Sequence, residues 1–242
     1  MRLDKYICKS TELTKAEAVE RINAGEVLVN GLMSGVENDG DIINASTQVH
    51  ENNCIFLEGQ RLKTRAFRYL LLHKPAGVIC SSTDEKGYPS LFNDLAIDRV
   101  QELHIAGRLD VDTTGLVLIT DDGRWTYNIT VPTKQCKKVY RVLLSTSITD
   151  EAKDKLVARF KMGIELQGEL QLTLPAHLEI VTDKEVLLTI IEGKYHQVKR
   201  MFAAIGNRVV ALHREKIGDV ALDVEVGEWR YLTQTEVASF IK

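Results

Sequence analysis

The sequence predicts an α+β chain: a large, mainly antiparallel mixed sheet preceded by a small α/β unit. Three observations carry this expectation. Strand-length apolar runs recur at 68–73, 116–119, 139–144, 178–181 and 186–191, each bounded by polar or glycine-containing turns. Helical periodicity is confined to a few short stretches, which favours segregated helices over a doubly wound alternation. A charged, weakly apolar segment at 61–66 separates residues 1–60 from residues 67–242 and reads as a linker.

In the first 60 residues, Leu3 and Ile7 sit four apart on one side of a short helix. Thr14-Lys-Ala-Glu17 has the form of a capping box, opening a second helix with Ala18, Val19 and Ile22 inward and Gly25 at its end. Val27–Val29 reads as a strand, and Asn30-Gly31 is a strong hairpin signal.

Beyond the linker, Arg68–His73 is a strand, and Lys74-Pro-Ala-Gly77 is a turn returning into Val78–Cys80. Residues 81–89 form a polar loop. Leu116–Ile119 reads as a fully buried strand, Trp125 and Ile129 mark a short helix stopped at Pro132, and Val139–Leu144 is a strand whose basic approach suggests an exposed sheet edge. Thr149 opens a helix with Ala152, Leu156, Val157 and Phe160 on one side, followed by strands at 170–174, 178–181 and 186–191. Val198, Met201, Phe202 and Ile205 give a helix with one buried stripe, closed by Gly206.

With 242 residues, of which 44% are hydrophobic, the chain can bury a sizeable core. No apolar run is long enough to span a membrane, and Met1–Lys5 lacks a signal-peptide core, so a cytoplasmic protein is expected. Cys8, Cys54, Cys80 and Cys136 are scattered without a Cys-x-x-Cys pair, which argues against a zinc ribbon or a disulfide framework. No glycine-rich phosphate-binding pattern occurs, so neither a nucleotide cofactor nor a metal is expected.

A net charge of −3 is unfavourable for a general nucleic-acid binder, and residues 1–65 carry eight Lys+Arg against ten Asp+Glu. Residues 193–216, however, hold six Lys+Arg and one acid, Glu215, which reads as a local basic surface.

The loop between Gly107 and Gly115 carries Arg108, Asp110, Asp112, Thr113 and Thr114. Taken alone, such a loop is ordinarily a solvated turn. Its order Gly-Arg-Leu-Asp-x-x-Thr-x-Gly-Leu, however, resembles the signature of the pseudouridine synthases that modify bacterial ribosomal RNA. Gly193-Lys-Tyr-His-Gln-Val-Lys-Arg-Met201 is similar to a second motif of that family. Arg2-Leu-Asp-Lys5, Thr14-Lys15 and Gly25–Gly31 together resemble an S4 RNA-binding domain, with Thr14-Lys15 departing from the usual Ser-Arg.

The resemblance implies Asp110 as the catalytic residue, Lys199 as the base paired with it and keeping it ionised, and Tyr140 as the ring stacking on the target uracil. Asp112 falls on a variable position of the motif. RNA contacts are implied for Arg2, Lys5, Lys15 and Arg21 in the first unit and for Lys74, Arg108, Lys137, Lys138, His196 and Arg200 in the second. Within the family the two motifs are most similar to members acting on 16S RNA, so 16S ribosomal RNA or a small-subunit assembly intermediate is the expected partner of a monomeric enzyme. Members acting on 23S RNA share the architecture. A ribosome-binding factor with a dead domain would be expected to lack Asp110, Tyr140 or Lys199, and a glycosidase would pair Asp110 with Asp112 as acid and base.

Overall fold

The computed structural model describes residues 1–38 and 41–241, and it forms two compact units, 1–66 and 67–242. In the first unit, strands β1 (Val27–Val29), β2 (Leu32–Met33), β5 (Ile55–Leu57) and β6 (Gln60–Arg61) form one sheet in the order β2-β1-β5-β6, and α1 (Leu3–Ser10) and α2 (Lys15–Asn23) share a core with β1 and β5. Strands β3 (Glu37–Asn38) and β4 (Asp41–Ile42) pair separately. The capping box forms as its sequence dictates: the Thr14 side chain accepts from Glu17 N–H, and the Glu17 carboxylate accepts from Thr14 N–H. Asn30 and Gly31 both take positive φ, so the β1–β2 turn has the left-handed geometry that its Asn-Gly pair suits.

Residues 61–66, expected as a linker, belong to the first unit. Glu58 and Gly59 form a second positive-φ turn, and the chain continues into β6, with Leu62 N–H bonded to Ile55 O. The Arg65 guanidinium then donates to the carbonyls of Thr11 and Cys8. These residues are bound into the first unit by backbone hydrogen bonds at Arg61, Leu62 and Arg65 and by the Arg65 side chain.

The second unit is built on one sheet in the order β11-β12-β10-β13-β9-β7-β15, with β8 and β14 appended. Its strands are β7 (Tyr69–Lys74), β8 (His104–Ile105), β9 (Thr114–Thr120), β10 (Lys138–Leu144), β11 (His177–Ile180), β12 (Glu185–Ile190), β13 (Val209–Ile217), β14 (Val220–Ala221) and β15 (Trp229–Tyr231). All pairings are antiparallel except β13 with β9, so the expected α+β, mainly antiparallel mixed sheet is what forms.

The helices are α3 (Gly123–Thr130), α4 (Asp150–Met162), α5 (Gln197–Ala204) and α6 (Gln234–Ser239). β9 explains why its sequence is continuously apolar rather than alternating. Val117 and Ile119 enter one core with Phe160 of α4 and Val198, Met201 and Phe202 of α5, whereas Leu116 and Leu118 enter another with Trp125 and Ile129 of α3.

Three local expectations fail. Residues 78–80 do not resume the sheet; only an isolated bridge joins Ile79 to Ser90, because Gly77 N–H bonds Val111 O instead of closing a hairpin. Leu170, Leu172 and Leu174 alternate like a strand but are exposed and lie in no sheet; the segment bonds back to the end of α4, with Thr173 N–H on Ile164 O and Ala176 N–H on Phe160 O. Strand β10 is central, flanked by β12 and β13, and is not the exposed edge that its lysines suggested.

Candidate active site

The Asp110 loop enters β9, and its backbone is tied down by buried cations. Gly115 has φ +109, and a Cβ there would lie 2.3 Å from Arg214 O, so a glycine lets β9 and β13 meet. Arg214 is almost completely buried. Its guanidinium donates to Leu116 O at 2.8 Å, to Gly107 O at 2.7 Å and to the Tyr140 hydroxyl at 3.3 Å.

On the other side, the buried Lys74 ammonium donates to the carbonyls of Pro75, Val111 and Thr113 at 2.9, 3.2 and 2.8 Å. Burial holds the Lys74 pKa below the ordinary lysine value. Leu109 N–H points at Cys80 Sγ, and Thr113 N–H bonds Asp110 O, closing the turn.

The motif around α5 supplies the other wall. The Gln197 amide oxygen accepts from Lys194 N–H at 2.8 Å, while its nitrogen donates to the buried Glu192 carboxylate at 2.8 Å. His196 takes a left-handed φ of 47° before the helix begins. This fixed entry presents Lys199 and His196 to the Asp110 loop. Lys199 Nζ lies 3.0 Å from Asp110 Oδ2 and 2.6 Å from Asp112 Oδ1, and His196 Nε2 lies 3.5 Å from Asp110 Oδ1.

Burial opposes the charge on Lys199, but hydrogen bonds and charge from Asp112 and Asp110 outweigh it and raise its pKa. Burial likewise opposes the charge on Asp112, and Lys199 outweighs it, holding that carboxyl below the usual range. Asp112, expected as a variable bystander, is thus a partner of the same lysine. One ammonium thus bridges both carboxylates of the loop, where a glycosidase would need them divided into an acid and a base.

The implied RNA-contact residues separate into two groups. Arg108 and Lys137 are exposed, as are Lys5 and Lys15 in the first unit. The other six are engaged within the protein, and two of them have no surface for RNA. Lys74 ties the loop backbone, and Lys138 is buried with its ammonium on Ile129 O and Cys136 O, so neither reaches RNA. His196 faces Asp110. Arg200 holds Glu169, Gln167 O and Tyr195 O. Arg2 makes two hydrogen bonds to the buried Asp4, and Arg21 pairs with Glu26 and Glu58.

The basic stretch 193–216 is correspondingly less basic in space. Glu169 neutralises Lys194 and Arg200, and Arg214 is interior. Sequence reasoning missed Arg214, because a lone arginine in an alternating strand gives no sign that three acceptors surround it. Tyr140 is only 7% exposed, with Arg214 against its ring and hydroxyl.

The chain is similar to known proteins over its whole length. The chain is 52% identical over 99% of its length to a protein of Vibrio parahaemolyticus, and 43% identical over its whole length to one of Escherichia coli. Both bear the name ribosomal small subunit pseudouridine synthase A, and the alignments span 99% and 100% of those relatives. A solved structure described as a pseudouridylate synthase superposes with a TM-score of 0.69 at 43% identity, covering 99% of each chain. The model of the RNA pseudouridylate synthase family matches residues 68–204, a span containing both Asp110 and Lys199. The chain that joins these two residues in one ion pair belongs to the RNA pseudouridylate synthase family.

Proposed function

We propose that the protein isomerises a uridine of 16S ribosomal RNA to pseudouridine, with Asp110 as the nucleophile acting on a base turned out of its stack. The observation that carries this reading is the Asp110–Lys199 pair, formed between residues 89 apart in sequence. The 16S assignment is supported by the names of the full-length relatives.

The reaction breaks the N1–C1′ bond, turns the uracil, forms the C5–C1′ bond and returns a proton to N1 as the C5 hydrogen departs. Atoms and oxidation level balance without a second reactant. A carboxylate serves it either by bonding transiently to the sugar or by stabilising a glycal-like species. Both routes need a fixed carboxylate, which the Lys74 and Arg214 ties provide for the loop. Lys199 supplies the countercharge. Exposed Arg108, two residues before Asp110, would hold the opened RNA, and the Tyr140 ring would meet the uracil. Lys5 and Lys15 would meet phosphates from the first unit.

The test is tritium release from 16S RNA carrying C5-tritiated uridine, as free transcript and as a small-subunit assembly intermediate, with 23S RNA alongside. Release from 16S material alone is expected. Release from 23S RNA alone would overturn the substrate, and release from none would overturn the reaction.

A further inference from the structure

Tyr195 lies in none of the roles above, yet it is the most exposed aromatic ring beside the site. The residue is 77% exposed, and its ring stacks on His196 with centroids 3.8 Å apart and planes 22° from parallel. His196 in turn places Nε2 3.5 Å from Asp110 Oδ1. Tyrosine, imidazole and carboxylate therefore form a short ladder from solvent to the reacting group.

The backbone that carries the ring is tied down, and the ring itself rests on His196. Arg200 donates to Tyr195 O at 3.1 Å, and the Gln197 side chain accepts from the neighbouring Lys194 N–H. An aromatic with one face covered by imidazole and most of its surface in water gains little for the fold by its position. A nucleobase offers it a second stacking partner, and only an unpaired base can present a whole face.

We propose that Tyr195, backed by His196, is a stacking platform for an unpaired nucleobase flanking the target uridine. The inference rests on the proposed RNA reaction and extends it to a nucleotide that undergoes no chemistry. The ladder places this base next to the nucleotide whose sugar Asp110 addresses, so the enzyme holds the RNA open on one side of the target.

The experiment compares wild type, Tyr195→Phe, Tyr195→Leu and Tyr195→Ala in single-turnover tritium release from 16S transcript across enzyme concentrations. Anisotropy of a labelled single-stranded oligouridylate is measured in parallel over a range of salt. Loss of stacking should raise the half-saturating concentration about fivefold or more in the Leu and Ala variants, while Phe stays within about twofold of wild type. The salt slope of oligouridylate binding should be the same in all four, because no charge is removed. Leu and Ala variants that saturate like wild type overturn the platform. So does a fall in the plateau rate alone, which would make Tyr195 a support for His196. If wild type itself releases no tritium, the 16S reading fails separately and the oligouridylate affinities decide the platform.

Discussion

Lys199 Nζ sits between two carboxylates, 3.0 Å from Asp110 and 2.6 Å from Asp112. The lysine comes from the first turn of α5 and the carboxylates from the loop before β9, so tertiary structure alone creates the cluster. Three ionisable groups in one contact set act as a unit, and substitutions in it should not be additive.

Replacing the shared cation tests that unit first. Lys199→Met keeps the stem and removes the charge that Asp110 and Asp112 share. The single-turnover rate at neutral pH should fall by about tenfold or more, the worth of one lost charged hydrogen bond of roughly 1.5–3 kcal/mol. Lys199→Arg keeps the charge and should be milder. Equal rates in the Met variant and wild type would return Lys199 to an ordinary surface role.

Asp112 should matter for the pair and not for the chemistry. Asp112→Asn leaves Lys199 bound to Asp110, so pseudouridine formation should persist within a few-fold. Because the Asp112 pKa is lowered in the folded protein, its contribution to stability is present above the ordinary aspartate pKa and is lost as pH falls through the depressed value. The side chain is 68% exposed, which limits the effect to about 1 kcal/mol or less. Thermal midpoints should therefore differ slightly between wild type and Asp112→Asn at neutral pH and converge in acid. A variant without activity would instead support a paired-carboxylate mechanism.

Arg214 couples stability to the site. Arg214→Met strands the carbonyls of Gly107 and Leu116, at a cost of about 3 kcal/mol in urea unfolding. Arg214→Lys should recover only part of this, since one ammonium cannot match a fork that reaches two carbonyls and a hydroxyl. Wild-type unfolding midpoints in both variants would show the ties to be inconsequential.

Gly115→Ala tests the close approach that sets the loop. Its Cβ would meet Arg214 O at 2.3 Å, and its φ of +109 is unsuited to alanine. The parallel contact of β9 with β13 must open, so soluble yield and unfolding midpoint should both drop sharply. A normal midpoint would mean that the strands can separate without loss.

Much of this fold was legible because local signals agreed with tertiary need. The Thr14–Glu17 box, the Asn30-Gly31 turn and the stripe of Val198, Met201 and Phe202 each formed as their sequence indicates. The Leu170–Leu174 alternation misled because period-two spacing reports a strand only when a neighbouring strand is there to pair with it. Asp110 and Lys199 could be picked out by resemblance to family motifs, whereas helix periodicity alone would have put Lys199 on the surface. Lys74, Lys138 and Arg214 were illegible in their true role for one reason. A positive charge in sequence suggests solvent or phosphate, and only the fold shows buried carbonyls converging on it.

Asp110→Asn is the decisive variant for the proposed role of the Asp110 carboxylate in the reaction, because the amide keeps the shape and removes the charge. Single-turnover tritium release from 16S RNA and RNA affinity should be measured on the same preparations. No detectable pseudouridine is expected from the variant, with RNA affinity within a few-fold of wild type. A variant that keeps about a tenth of the wild-type rate would remove Asp110 from the chemistry, since loss of a reacting group should cost far more than that.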